Sequence, residues 1–134
     1  MRPARLVWDL DNTIIGFNRR GELILNRPLV AKIRQLKAEG HTTILWTFGN
    51  RNWWRAVRRT FPELLGLFDE IYSRDELRGH RTALPGYGPL YVKDIRLING
   101  DALIDNDPSH YIWAKRRRLK ERYVLAPQFG LTPV

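Results

Sequence analysis

The chain has 134 residues, 43% hydrophobic and 28% charged, with 23 Lys and Arg against 14 Asp and Glu for a formal charge of +9; residues 1–134 are expected to form one domain. The absence of cysteine excludes disulfides, zinc–thiolate sites and thiol nucleophiles. Five each of Trp, Tyr and Phe oppose disorder, no apolar run approaches a membrane span, and acids stand where a signal peptide's apolar region would lie, so a cytoplasmic location (nuclear in a eukaryote) is expected.

Arg5-Leu6-Val7-Trp8 is a short apolar run that stops at Asp9-Leu10-Asp11-Asn12-Thr13, the pattern of a buried strand opening into a polar loop. Gly16 to Glu22 reads as a turn. Asn26-Arg27-Pro28 opens a helix with Leu29, Ile33 and Leu36 on one face, and Gly40 closes it. Thr43 to Thr47 is the next β-rich run. It breaks at Phe48-Gly49-Asn50, before a helix that turns Trp53 or Trp54, Val57 and Phe61 inward. Asp69 to Ser73 is a weaker strand, and Arg74 to Pro89, rich in Gly and Pro, reads as irregular. Ala102-Leu103-Ile104 is a strand that again ends in acids, and Tyr123-Val124-Leu125 a fifth. Strands alternating with helices predict an α/β fold, a Rossmann-like parallel sheet of about five strands flanked by helices. Ligands of such sheets sit beyond the carboxyl ends of the strands.

Polar residues gather at those ends: Asp9 and Asp11, Thr47, and Asp105 with Asn106. Converging carboxylates repel one another unless a cation neutralises them. An all-oxygen ligand set suits Mg²⁺, which keeps waters and a position for substrate phosphate. The Thr47 hydroxyl and the amides that follow, at a helix start, suit phosphate oxygens, and Lys93 adds a point charge.

The run Asp9-Leu10-Asp11-Asn12-Thr13 after a hydrophobic strand resembles the first motif of the haloacid dehalogenase superfamily of phosphotransferases. That superfamily also has a Ser or Thr ending its second strand, then a Lys, then an acidic pair ending its fourth strand. Thr47, Lys93 and Asp105 with Asn106 or Asp107 follow in that order, so the resemblance spans residues 6–108. Leu6-Val7-Trp8-Asp9-Leu10-Asp11-Asn12-Thr13 is similar to the Leu-Val-Leu-Asp-Leu-Asp-Glu-Thr of the branch of RNA polymerase C-terminal-tail phosphatases and their small relatives, with Asn12 in place of Glu. Arg27-Pro28, Trp46-Thr47, Tyr91-Val92-Lys93-Asp94 and Ile104-Asp105-Asn106-Asp107-Pro108 resemble further motifs of that branch. The stretch from Trp53 to Pro89 matches poorly.

The resemblance implies a capless phosphatase fold and an aspartyl-phosphate mechanism. Asp9 is then the nucleophile and Asp11 the acid and base, which requires the Asp11 side chain to leave the metal shell while its carbonyl stays. Mg²⁺ would be held by the Asp9 carboxylate, the Asp11 carbonyl and Asn106, with Asp105 in support. Lys93 would share the charge stabilisation, and Thr47 with the amides of Phe48 and Gly49 would orient phosphate oxygens. The 38 positions from Asp9 to Thr47 and the 46 from Thr47 to Lys93 leave no room for a cap domain. An open site favours phosphate on a macromolecule. A phosphoprotein is the first candidate partner and a nucleic-acid end or nucleotide the second; an inert binding module on the same fold is the alternative of another class.

The basic excess is spread along the chain, and its densest run, Lys115 to Arg122, reads as a solvated face that borders the site if it acts at all. Asp94 reads as a helix cap, Asp107 as a turn residue before Pro108, and His41, His80 and His110 as surface residues. Adjacent helical residues point about 100° apart, so Trp53 and Trp54 cannot both face the core.

Overall fold

The computed structural model describes residues 3–132. Its centre is a sheet of five parallel strands in the order β5-β4-β1-β8-β9. These are β1 (Arg5–Trp8), β4 (Thr42–Trp46), β5 (Glu70–Tyr72), β8 (Ala102–Asp105) and β9 (Tyr123–Leu125). The expected α/β class, with a parallel Rossmann-like sheet, is the one observed. Between β1 and β4 come β2 (Ile15–Phe17), β3 (Leu23–Leu25) and α1 (Arg27–Ala38). Then α2 (Arg51–Thr60) precedes β5, while β6 (His80–Leu84) and β7 (Gly88–Val92) precede β8, and α3 (Pro108–Arg116) precedes β9.

The central strands read as unbroken apolar runs because both sheet faces are covered. Alternate residues enter two cores. Trp8, Leu45 and Ile104 face α1 and α2 with Ile33, Trp54 and Val57. Val7, Ile44, Trp46 and Leu103 face α3 and the β6–β7 hairpin with Val92, Trp113 and Tyr123. The register Val7↔Ile44 and Val7↔Leu103 puts equivalent residues side by side across three strands. It also brings their polar carboxyl ends level.

Each helix starts where a polar side chain can occupy its free N–H groups. Asn26 accepts from Leu29 N (3.3 Å), Asn50 from Trp53 N (2.8 Å) and Asp107 from Ser109 N (2.9 Å). Asp107 is thus the α3 cap, followed by Pro108 in the first turn. Asp94 caps a one-turn 3-10 helix, Ile95–Ile98, through Arg96 N.

Two readings of the sequence need correction. Gly16 to Glu22 is not simply a turn, because Ile15–Phe17 pairs antiparallel with Leu23–Leu25 and only the tip between them turns. Arg74 to Pro89 is not wholly irregular either, because His80–Leu84 pairs with Gly88–Val92. Both ribbons contain glycines at positive φ, at Gly21, Gly86 and Gly88, and those turn signals mask short strands. Among the described residues, no helix is long and apolar enough to cross a membrane.

Candidate active site

The site begins where β1 runs out. Asp9 N still donates to Ile104 O of β8 (3.0 Å), and the chain then wraps tightly around the Leu10 carbonyl. That oxygen accepts from Thr13, Ile14 and Ile15 N at 3.3, 2.9 and 3.1 Å, with Asn12 at φ 60°. Buried Leu10 and Ile14 anchor the turn in the core. As a result, Asp9 and Asp11 leave the backbone towards different surroundings.

Asp9 faces inward. Its Oδ1 accepts from Lys93 Nζ (2.7 Å), and its Oδ2 accepts from the Thr13 hydroxyl (3.2 Å). Lys93 Nζ also donates to Asp105 Oδ2 (2.7 Å), so one ammonium bridges two carboxylates below the surface. Asp105 Oδ1 accepts from Asp107 N (2.9 Å). Asp105, expected beside the metal, therefore has both oxygens committed to Lys93 and the loop.

Lys93 is placed by its backbone as well as by its charge. Its N–H donates to His110 Nδ1 (3.1 Å), and its carbonyl accepts from Tyr123 OH (2.7 Å), which in turn accepts from Ile95 N (3.1 Å). The Phe48 ring centroid lies 5.0 Å from Nζ. These contacts correct the reading of His110 as a surface residue: it is buried, and its Nε2 stands 3.5 Å from Asp105 Oδ2. His41 is buried too, its Nδ1 accepting from Ala4 N (3.0 Å), whereas His80 is exposed as expected.

Burial dominates the ionisation of this cluster. It drives the Asp9 pKa up to about 7, with repulsion from Asp105 and Asp11 adding to the rise and Lys93 opposing it. Burial also works against the Lys93 charge, but Asp105 and Asp9 outweigh it and hold the ammonium above the usual lysine range. Asp105 ends below the usual carboxylate range, because Lys93 overcomes its desolvation. One cation cannot fully satisfy two anions, and Asp105 has a backbone N–H donor that Asp9 lacks. Asp9 is therefore the carboxyl of the pair that protonates first. Burial lowers the His110 pKa to about 4 despite Asp105, so the ring is neutral. Burial pushes the Tyr123 phenol up to about 12.

Asp11 faces the cleft and is half-buried. Its Oδ1 accepts from the Trp53 indole N–H (2.8 Å), and its Oδ2 stands 3.5 Å from Thr47 Oγ1. Its carbonyl remains behind with Asn106. With the NH₂ of Asn106 turned inward, the amide donates to Asp9 Oδ2 (2.9 Å), Asp11 O (3.1 Å) and Thr13 Oγ1 (3.2 Å). Turned over, the amide presents its oxygen at the same point, beside the Asp9 and Asp11 oxygens. Neighbouring ligands of an octahedral Mg²⁺ with bonds of 2.0–2.1 Å lie about 2.9 Å apart. The Asp9 carboxylate, Asp11 carbonyl and Asn106 amide thus fit this ion in chemistry, and Asn106 stands at such a spacing from each of the other two. Only one carboxylate would contribute, and among the described residues no group of three His, Cys, Asp or Glu side chains gathers as a metal site, here or elsewhere.

Thr47 lies at the end of β4, buried, with its Oγ1 accepting from Gly49 N (2.9 Å). The Gly49 amide is thus committed to Thr47, and Phe48 lines the cleft wall. A Cβ on Gly49 would lie 2.6 Å from Trp53 Cδ1, so only glycine lets the indole lie over this turn and reach Asp11. Trp53 is a site residue that the sequence left undecided; Trp54, its neighbour, is buried in the core as the 100° rule required. The basic run Lys115 to Arg122 begins at the far end of α3, roughly 12 Å along the helix from the cleft. It is mostly exposed.

The cleft over Asp9 and Lys93 has a volume of ≈ 370 Å³ and also touches Asp11, Phe48, Asn106 and Asp107. Two further grooves adjoin it. Past Asp11 lies an apolar groove of ≈ 410 Å³ whose walls include Phe17 and Trp53, stacked 6.4 Å apart. Past Phe48 and Asp107 lies another of ≈ 430 Å³, lined by Arg74, Arg78, Tyr87 and Tyr91.

No protein-family model matches the sequence, and no curated protein sequence matches it. Solved structures do. Fcp1, an essential RNA polymerase II CTD phosphatase, superposes over 95% of this chain with a TM-score of 0.60 and 17% identity, and 42% of its own chain is covered. A chain of the Pnkp1/Rnl/Hen1 RNA repair complex gives a TM-score of 0.55 at 19% identity over 98% of this chain and 44% of its own. A second structure of the Pnkp1/Rnl/Hen1 complex gives 0.58 at 17% identity, covering 98% and 47%. The chain spans less than half the length of each of these. With the strand order β5-β4-β1-β8-β9 and the carboxylate-rich centre at the strand ends, these likenesses show that the chain has the haloacid dehalogenase-type fold.

Proposed function

We propose that the protein is a Mg²⁺-dependent phosphomonoester hydrolase that works through an aspartyl-phosphate on Asp9 and acts on a phosphoprotein. The observation that carries this reading is the division of Asp11. Its carbonyl stays with Asp9 and Asn106, while its carboxylate swings to Trp53 and Thr47. A carboxylate kept outside the metal set is free to move protons, and that is the geometry an acid and base requires.

In the first step an Asp9 carboxylate oxygen bonds to phosphorus, the bond to the leaving oxygen breaks, and Asp11 delivers a proton to that oxygen. In the second step Asp11 takes a proton from water as the water oxygen bonds to phosphorus. The acyl-phosphate bond then breaks, restoring the Asp9 carboxylate and releasing phosphate. Lys93 offsets the charge of the phosphoryl oxygens, and the Thr47 hydroxyl and Phe48 amide orient them. Mg²⁺ held by the Asp9 carboxylate, the Asp11 carbonyl and the Asn106 amide would supply further charge neutralisation and favour ionised Asp9. Asp105 holds Lys93 in place.

A phosphoprotein suits the surroundings because the cleft is open. The segments flanking it are two short ribbons, residues 15–25 and 80–92, and among the described residues no cap domain stands over the site. The test is hydrolysis of an aryl phosphate by the wild-type protein with Mg²⁺, abolished by Asp9→Asn. Wild-type protein that turns over no phosphomonoester with Mg²⁺ would overturn the enzyme reading in favour of an inert binding module.

A further inference from the structure

We propose that the groove beyond Phe48 is a second subsite, in which Arg74 and Arg78 hold an anionic residue of a phosphopeptide whose phosphate lies over Asp9. This rests on the phosphatase reading above and adds what recognises the substrate.

The groove adjoins the catalytic cleft, since Phe48 and Asp107 line both. Its two arginines project from a segment that is fixed on several sides. Arg74 N donates to Gly49 O (3.0 Å), tying the segment to the turn that carries Thr47. Trp46 Nε1 donates to Leu77 O (3.2 Å). A Cβ on Gly79 would meet Val92 O at 2.4 Å, so the segment enters β6 in close contact with β7.

Charge on this segment is divided unevenly. Its acids are already engaged: Asp75 Oδ2 accepts from Arg51 N (2.7 Å), and Glu76 accepts from Ser73 N (2.9 Å) and pairs with Arg51 (3.1 Å). Arg74 and Arg78 form no ion pair and no side-chain hydrogen bond with the described residues, and both are exposed. Asp107 is the one acid among the described residues on the groove wall, and its Oδ1 is engaged as the α3 cap. Two unpaired guanidiniums against one acid leave the groove cationic. Planar guanidinium groups bind carboxylate and phosphate with paired N–H donors. Tyr87 and Tyr91, 46% and 37% exposed, give the groove aromatic walls beside such a contact.

The position of the groove selects the class of molecule. The catalytic cleft adjoins two separate grooves, one meeting it at Asp11 with Phe17 and Trp53 and one meeting it at Phe48 and Asp107 with Arg74 and Arg78. A polypeptide phosphorylated on a side chain runs in both directions from its phosphate and fills both. A nucleic acid ending in the scissile phosphate leaves in one direction only. The anion itself can be a Glu or Asp carboxylate or a second phosphate, since both suit two arginines.

The experiment compares kcat/KM for phosphoserine peptides whose neighbouring residues are neutral, contain Glu, or contain a second phosphoserine, placed on either side. An aryl phosphate and 3′- and 5′-phosphorylated oligonucleotides are run beside them. The wild-type protein should favour an anionic neighbour on one side by about 10-fold, mainly through KM. The Glu and phosphoserine peptides separate the two sources of the anion. In the R74Q/R78Q double variant the ratio of anionic to neutral peptides should fall to about one, whereas R116Q on the basic run leaves that ratio intact. Aryl phosphate hydrolysis with no preference among wild-type peptides overturns the subsite alone. A ratio unmoved by R74Q/R78Q, or oligonucleotides preferred over every peptide, overturns it as well. Absence of any aryl phosphate hydrolysis removes the phosphatase reading and the subsite with it.

Discussion

Asp9 and Asp11 stand two residues apart in one loop and line one cleft, yet they occupy opposite environments. Asp9 is buried against Lys93, Thr13 and Asn106, and burial raises its pKa to about 7. Asp11 is half-buried and answers to an indole N–H on α2, 42 residues away in sequence. The turn around the Leu10 carbonyl creates the difference, because it sends successive side chains to the core and to the cleft. Two identical side chains can take different chemical roles when their surroundings push them apart. On this reading the buried residue is built to attack phosphorus while cations neutralise its charge, and the outer one to exchange protons.

The contrast breaks most visibly at Asp11. Asp11→Asn is expected to cut kcat by roughly 10²–10⁴-fold on alkyl phosphates, which need a proton on departure. The loss in forming the intermediate should be much smaller for an aryl phosphate with a good leaving group; an equal loss on both would deny Asp11 the acid role. The inner half breaks at Lys93. Lys93→Met strands two buried carboxylates and should lower stability near neutral pH by about 3–5 kcal/mol, a cost that shrinks as the carboxylates protonate in acid. Chemical denaturation at two pH values reads this directly.

His110 sharpens the same half. Its pKa is about 4 in the folded protein against an ordinary 6.5, so the unfolded chain binds the proton more readily. Its neutral form therefore contributes stability that is complete above pH 6.5 and lost as pH falls through 4. The contribution is on the order of 3 kcal/mol. His110→Gln should flatten the stability profile over that window; an unchanged slope would mean the ring is not held neutral. The smallest effect is expected at the outer half. Trp53→Phe keeps the ring but removes the N–H on Asp11, and should lower kcat about 10-fold with little change in stability.

Much of this arrangement was legible in the residues, for identifiable reasons. Leu6-Val7-Trp8, Ile44-Leu45-Trp46 and Leu103-Ile104 are buried on both faces, so their unbroken apolar character marks them as central strands. Their abrupt polar ends also marked the site. The β6–β7 ribbon was not legible: Arg81 and Tyr91 face solvent across it, Gly88 and Pro89 are poor strand formers, and Gly86 and Gly88 at positive φ look like loop residues. His110 escaped notice because its partner is a main-chain N–H of Lys93, 17 residues earlier, which no local spacing encodes. Trp53 was half-visible. Helical geometry required one of the two tryptophans to leave the core, but its bond to Asp11 depends on Gly49 clearing the ring's path.

The most direct test of the central claim is the covalent state of Asp9. The Asp11→Asn variant, incubated with an aryl phosphate and Mg²⁺ and quenched in acid, should carry a phosphoryl group on Asp9, seen by mass spectrometry of the peptide containing it. The label should be absent when Asp9→Asn is added. A phosphoryl group on any other residue, or none while an aryl phosphate is being turned over, would contradict the account.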